Sequence, residues 1–358
     1  MLLAAAPLRA DTIRVALFHT ELDRDGPGLL LRDILKGDDP QVLAVLAVLA
    51  HVDADILVLS GIDYDHRSLT LDALADRLPD YPHRFAAPPN RGRASGLDLD
   101  RDGKIGGAGD DTGYSAFAGA GGLAVLSRFP IRAGAARLET EKRWGDLPGN
   151  IAPDPVSAAM HLSTTAHWAV PVAISGERLL TLVTWHATPP VFDGPEDRNG
   201  RRNHDEARLA HQMAHDAGAP VILAGFANLD PVDGEGRGGA LADMLSDPAF
   251  RDPRPASIGG VLAAARDGGA NLRQKGDPAL DTANWPDTGR WPGNRRVDFL
   301  LPSADLTVAA TGVFWPPPDA LLGGEVERAS RHRVVWLDLV TDGAGDGGER
   351  RGLAELRQ

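Results

Sequence analysis

Three apolar runs in this chain carry, at one end, residues that can move protons or hold cations. Thr181-Leu-Val-Thr-Trp-His186 finishes on a histidine. Val221 to Ala224 reaches Gly225 and opens into a polar turn with Asn228 and Asp230, and Arg296-Val-Asp298-Phe-Leu-Leu301 carries a carboxylate. Ser330-Arg331-His332-Arg333 begins a further strand. Buried strands deliver functional groups at their ends, and imidazole is the side chain whose charge changes closest to neutral pH. A simpler reading of Asn228 and Asp230 is that they shape the turn before Pro231.

A second pattern suits a hard cation. Asp98-Leu-Asp100-Arg-Asp102-Gly103-Lys-Ile105 has the alternating carboxylates and turn-permitting glycine of a calcium loop. The glutamate that usually closes such a loop is absent. Gly109 stands in its place, and Asp110, the next residue, is the carboxylate expected to complete the shell. The other reading is a solvated acidic turn.

The elements that must position these residues alternate as in an α/β sandwich. Strands are expected at Ile13 to Phe18, Asp55 to Ser60 and Val334 to Val340, with Tyr81 to Ala86 extended. Asp39-Pro40 reads as an N-cap with proline at the first helical position, opening a helix to about Val52. Ser68 or Thr70 caps another to Leu78, and helices are also expected at Asn203 to Ala217 and Gly239 to Leu245. Spans 88–121 and 254–295 are rich in Gly and Pro and read as surface insertions within one domain, 11–341. The acidic, Gly-rich segment 342–358 reads as a flexible tail.

In order and spacing these motifs resemble those of the endonuclease/exonuclease/phosphatase superfamily, which includes deoxyribonucleases, apurinic-site nucleases, sphingomyelinases and inositol-polyphosphate phosphatases. Gly121 to Pro130, reading G-G-L-A-V-L-S-R-F-P, is similar to that family's G-x-A-I-L-S-R-x-P strand and corner, and the likeness runs from about Ile13 to Leu339. The resemblance implies a four-layer α/β sandwich, two packed mixed β-sheets flanked by helices. It also implies metal-dependent phosphoester hydrolysis by a phosphodiesterase, phosphatase or nuclease. Carried over by position, His186 would hydrogen-bond the phosphoryl group or protonate the leaving oxygen, Asn228 would orient the phosphate or nucleophile, and Asp298 would hold His332 as an oriented acid or base.

Four departures fall on acidic or ligand positions of the family pattern. G-D-x-N has become Gly225-Phe226-Ala227-Asn228, Q-E has become Ser60-Gly61, and S-D-H has become Ser330-Arg331-His332. His19 replaces an early asparagine. A metal site rebuilt from His19, Asp63 and Asp65 is the expected compensation, for a divalent cation (Mg, Mn or Zn), with imidazole favouring the latter two. The alternative is a catalytically inactive relative that binds a ligand or partner with the same fold. Arg198, Arg201 and Arg202 follow His186 in a polar segment and suit phosphate binding, whereas Asn203, Asp205 and Glu206 also read as a capped helix start.

With 43% hydrophobic residues the chain can bury a large core, and with no cysteine it builds neither disulfides nor thiolate metal sites. Its formal charge of -13 favours a small-molecule or lipid-linked phosphoester over nucleic acid as partner, with a monomer expected. It contains no apolar run of the roughly 20 residues a membrane span needs. Residues 1–10 resemble the end of a secretory signal, which implies a secreted or periplasmic protein, or a cytoplasmic one if this terminus is genuine.

Overall fold

The structure, a computed structural model, describes residues 12–176 and 178–341, so the signal-like segment and the expected tail lie outside the described residues. Two mixed sheets pack face to face between helices. One has six strands in the order Val308–Phe314, Val334–Val340, Thr12–His19, Ile56–Ile62, Gly122–Ser127, His83–Phe85. The other has five, in the order Asp298–Pro302, Val221–Phe226, Arg178–His186, His167–Ser175, Arg137–Leu138. Among the described residues no helix is long and apolar enough to cross a membrane.

Period-two alternation sorts the strand residues into three cores. Val15, Leu17, Val58, Leu182, Ile222, Ala224 and Leu300 face the gap between the sheets. Their neighbours Ala16, Phe18, Leu57 and Leu59 face helix Pro40–Val52 and its companions. On the other side Val183, Trp185, Leu223 and Phe299 pack against Leu209 and Met213 of helix Arg198–Ala217 and Leu241 of helix Gly239–Ser246. The layer order is therefore helix, sheet, sheet, helix, as the resemblance implies.

Local chemistry sets the helix ends. Asp39 accepts the Val42 N–H at 2.8 Å with Pro40 opening the helix, the expected cap. The helix expected from Asn203 instead starts at Arg198. Asn203 lies inside it, fully buried, and donates to the Thr188 and Ala227 carbonyls, each at 2.7 Å, so tertiary bonding and not capping explains the residue. The span 254–295 does more than decorate the surface. It contains helix Ile258–Asp267, and its Thr282 Oγ1 accepts the N–H groups of Val297 and Asp298 at 3.0 and 3.1 Å.

At the second sheet Gly225 lies opposite Trp185, and a Cβ at Gly225 would overlap the indole ring. Because Trp185 is fully buried, the ring has nowhere to yield. Gly225→Ala is expected to lower stability by about 1–3 kcal/mol through overpacking, read from the urea midpoint of the purified chain; an unchanged midpoint would show that the indole moves freely.

Candidate active site

The same alternation that builds the inter-sheet core places a set of polar residues at one end of it. His19 follows Val15 and Leu17 on the inner face, and Ser60 follows Ile56 and Val58. In the second sheet His186, Phe226 and Asp298 continue the inward parity of Leu182, Ala224 and Leu300. Strand register brings them level, with His19 opposite Ser60, His186 opposite Phe226, and Phe226 opposite Asp298.

Three imidazoles meet there. The His19 ring lies 4.8 Å from that of His186 and 4.6 Å from that of His332, centroid to centroid. His186 Nδ1 is 2.5 Å from Ser60 Oγ, and His332 Nδ1 is 2.8 Å from Asp298 Oδ2. Trp285, from the second insertion, sets its ring edge-on to His332 at 5.2 Å. His19 Nδ1 and Asp298 Oδ1 are buried polar atoms with no protein partner. Burial, and then the proximity of His332, pull His19 down to about 4. Burial, and then His19, pull His186 well below the ordinary histidine value. Both rings are therefore neutral near pH 7 and keep a lone pair.

The carboxylate in this cluster is Glu21. One ligand atom each from His19, Glu21 and His332 lies within 4.8 Å of the others. Burial opposes its ionisation, but His19, Arg331 and His332 outweigh burial and hold its carboxyl down to about 2. Its oxygens accept from Arg331 Nε at 2.8 Å, Arg331 Nη2 at 2.5 Å, the Arg331 N–H at 2.7 Å and Ser330 Oγ at 3.1 Å. The arginine that replaces the family's aspartate thus pairs with a new carboxylate. Glu21 itself has φ 50°, a backbone conformation unusual for a side-chain-bearing residue.

Gly61 explains why the carboxylate arrives from the first strand. It has φ +79°, and a Cβ there would stand 2.7 Å from the Glu21 nitrogen and 3.1 Å from His19 Cε1. The place from which the family's glutamate would extend is filled by the Glu21 backbone and the His19 ring.

Asp63, Asp65 and Asn228 each make local hydrogen bonds. Asp63 accepts the N–H of Gly121 at 3.0 Å and of Arg24 at 3.4 Å, and burial pushes its carboxyl up to about 6. Asp65 accepts the Thr70 N–H at 3.1 Å and the Thr70 hydroxyl at 2.7 Å in the first turn of helix Leu69–Asp76, whose N-cap position, Ser68, makes no side-chain capping bond. Neither belongs to the group that converges with His19. Asn228 stays on the turn beyond Phe226 and donates to the Ala187 carbonyl at 2.8 Å. Phe226 is fully buried, its ring 5.9 Å from His19 and 5.4 Å from His186.

The three arginines expected to suit phosphate each donate to backbone carbonyls. Arg198 donates to the Leu99 carbonyl, and Arg201 to those of Glu196 at 3.0 Å and Ile151 at 3.4 Å. Arg202 is buried and donates to the carbonyls of Leu162, Thr112 and His161 at 2.7, 2.7 and 2.9 Å. A helix that begins five residues earlier than expected turns these side chains inward and to the loops beneath it. In the acidic loop, one oxygen each from Asp98, Asp100 and Asp102 lies within 4.8 Å of the others. Asp110 is not part of that group. It accepts the N–H groups of Leu99 and Gly106, each at 2.7 Å, and so ties the loop together.

Glu21 and Trp285 escaped the sequence reading. The signal for Glu21 was its i, i+2 spacing from His19 at a strand end; Trp285 carried none, because only the fold of the second insertion brings it to His332.

Residues 33–332 match the Endonuclease/Exonuclease/phosphatase family, and the chain belongs to that family. Membership supports a phosphoesterase kind of function. A solved endonuclease/exonuclease/phosphatase from Beutenbergia cavernae DSM 12333 superposes with a TM-score of 0.56 at 20% identity, covering 94% of this chain and 73% of that one. A family protein from Bacteroides thetaiotaomicron superposes with a TM-score of 0.50 at 13% identity, over 93% of this chain and 99% of that one. At such identities the likeness establishes a shared fold. No curated protein sequence matches the chain.

Arg202→Ala is expected to cost at least about 3 kcal/mol, because it leaves three carbonyls without their charged donor. Chemical denaturation checks this, and a loss below about 1 kcal/mol would show that the three carbonyls find other donors.

Proposed function

We propose that this chain is a divalent-cation-dependent phosphoester hydrolase whose cation is held by His19, Glu21 and His332. The observation that carries this reading is the buried, partnerless His19 Nδ1 beside an ionised Glu21 and a carboxylate-oriented His332. Two imidazoles and one carboxylate suit zinc or manganese better than magnesium. Holding the cation exchanges a contact of Glu21 with Arg331, whose side chain is half exposed. When bound, the cation supplies stabilisation of negative charge on the phosphoryl oxygens.

The protein's own groups do the rest. Asp298 accepts the Nδ1–H of His332 and so presents the Nε2 lone pair, the role of a carboxylate behind a metal-binding histidine. Ser60 donates to His186 Nδ1, which leaves the Nε2–H to bond the phosphoryl group and follow charge onto the leaving oxygen. Asn228, fixed through its Nδ2, offers Oδ1 to orient the nucleophile. His19, His186 and His332 are 9%, 7% and 3% exposed, so a slender phosphoester, small or lipid-linked, reaches them more readily than duplex nucleic acid.

Phe226 favours a second reading, a ligand-binding relative without turnover. Its ring packs on two of the three histidines where the family keeps a carboxylate. Hydrolysis of bis-p-nitrophenyl phosphate and p-nitrophenyl phosphate with manganese, zinc, magnesium or calcium distinguishes the two. Turnover with manganese or zinc, reduced about 100-fold or more in Glu21→Gln and His332→Ala, is the expected result. Equal, negligible rates for all three proteins with every cation would leave the binding role.

Asp98, Asp100 and Asp102 are assigned to a calcium ion that stiffens the first insertion. Asp98 Oδ1 is buried without a protein partner, and Gly103 makes the sharp turn at φ +84°. Calcium is expected to raise the thermal midpoint of the wild type and leave that of Asp100→Asn/Asp102→Asn unmoved; an equal rise in both would remove the assignment.

A further inference from the structure

We infer that His211, His215 and Asp247 form a second transition-metal site, for zinc or a cation of similar preference, on the outer helix layer. His211 and His215 are one turn apart near the C-terminal end of helix Arg198–Ala217. Asp247 is the C-cap residue of helix Gly239–Ser246. Both His211 Nε2 and His215 Nε2 stand 2.7 Å from the same oxygen, Asp247 Oδ2. The other carboxylate oxygen, Oδ1, accepts the Ala249 N–H at 2.8 Å, which fixes the plane of the group and aims Oδ2 at the histidines.

The donor set selects the ligand. Two imidazoles and a single carboxylate oxygen suit a borderline cation such as zinc, and suit magnesium or calcium poorly. Zinc bonds of about 2.0–2.1 Å place tetrahedral ligands roughly 3.3 Å apart, so opening the present 2.7 Å contacts by about half an ångström admits the ion. The His215 side chain is half exposed, which leaves a path for entry and room for water as the remaining ligand.

Two further features favour a cation at this point. The site lies at the C-terminal ends of two helices, where backbone carbonyls concentrate negative potential. Phe250 packs edge-on against both rings, at 5.8 Å from His211 and 5.4 Å from His215, and limits the directions they can take. Phe250 also bridges to Ser303, whose hydroxyl accepts the Val221 N–H at 3.1 Å. The site therefore borders the start of strand Val221–Phe226, whose far end reaches the histidine cluster roughly 17 Å away along six residues. A metal here clamps the long helix to the turn that follows its neighbour and leaves the hydrolytic residues untouched.

The test is zinc binding by the tag-free, chelator-stripped full chain, followed by titration calorimetry and thermal melting, with His215→Ala and Asp247→Asn beside the wild type. Asp247→Asn keeps an Oδ1 acceptor for Ala249, so it checks the result if removing a histidine disturbs the fold. Both variants are expected to lose one zinc equivalent, or at least tenfold in affinity at one class of site, and to lose the corresponding part of the zinc-induced rise in melting temperature. Hydrolysis of bis-p-nitrophenyl phosphate is expected to stay at the wild-type rate. Repeating the titration in a Glu21→Gln background separates this ion from one at the histidine cluster. The same stoichiometry and affinity in wild type and both variants would overturn the site and leave two histidines sharing one carboxylate acceptor.

Discussion

Packing of the inner faces of two sheets is the constraint on which the rest of this protein depends. Side chains on a strand alternate between its faces, so the residues continuing an inward row past the last aliphatic must lie at the end of the inter-sheet core. His19, Ser60, His186, Phe226 and Asp298 occupy such places. Their neighbourhood is buried, which lowers the basicity of His19 and His186 and raises the worth of the Asp298 contact to His332. A one-residue slip in any of these strands would send its functional side chain to the helix layer instead.

Within that frame the departures at Gly61 and Arg331 fit one another through Glu21. Gly61 removes the side chain that the family extends from the second strand, and its φ +79° lets the chain beyond His19 close over the gap. Glu21 then enters from the first strand, and Arg331 pairs with it where an aspartate would have repelled it. Phe226 alters the balance differently. A fully buried phenyl ring contributes roughly 1.5–3 kcal/mol of apolar burial, while an unpaired carboxylate in the same place would cost stability. The core gains apolar burial where the family pattern has a carboxylate, and the ionisable groups left at this end of the core are the histidines, Asp298 and Glu21.

Both insertions take part in holding the framework. The first closes through Asp110, which gathers backbone N–H groups around its carboxylate. The second sends Thr282 to the backbone beside Asp298 and Trp285 to the ring of His332. The fixed geometry of the Asp298–His332 pair thus depends on a segment whose Gly- and Pro-rich composition suggests only surface.

The sequence by itself determined the four layers and the strand ends near which His186, Asn228, Asp298 and His332 lie, because alternation and motif order are local and survive without coordinates. It also carried the Asp39 cap and the three convergent aspartates of the acidic loop, which act over a few residues. Tertiary structure alone decided which carboxylate meets His19, since Asp63, Asp65 and Glu21 are all near strand ends and only backbone direction distinguishes them. It likewise turned Arg198, Arg201 and Arg202 toward backbone carbonyls and brought Trp285 to His332. Those outcomes depend on contacts between residues far apart in the chain, where composition and spacing carry no direction.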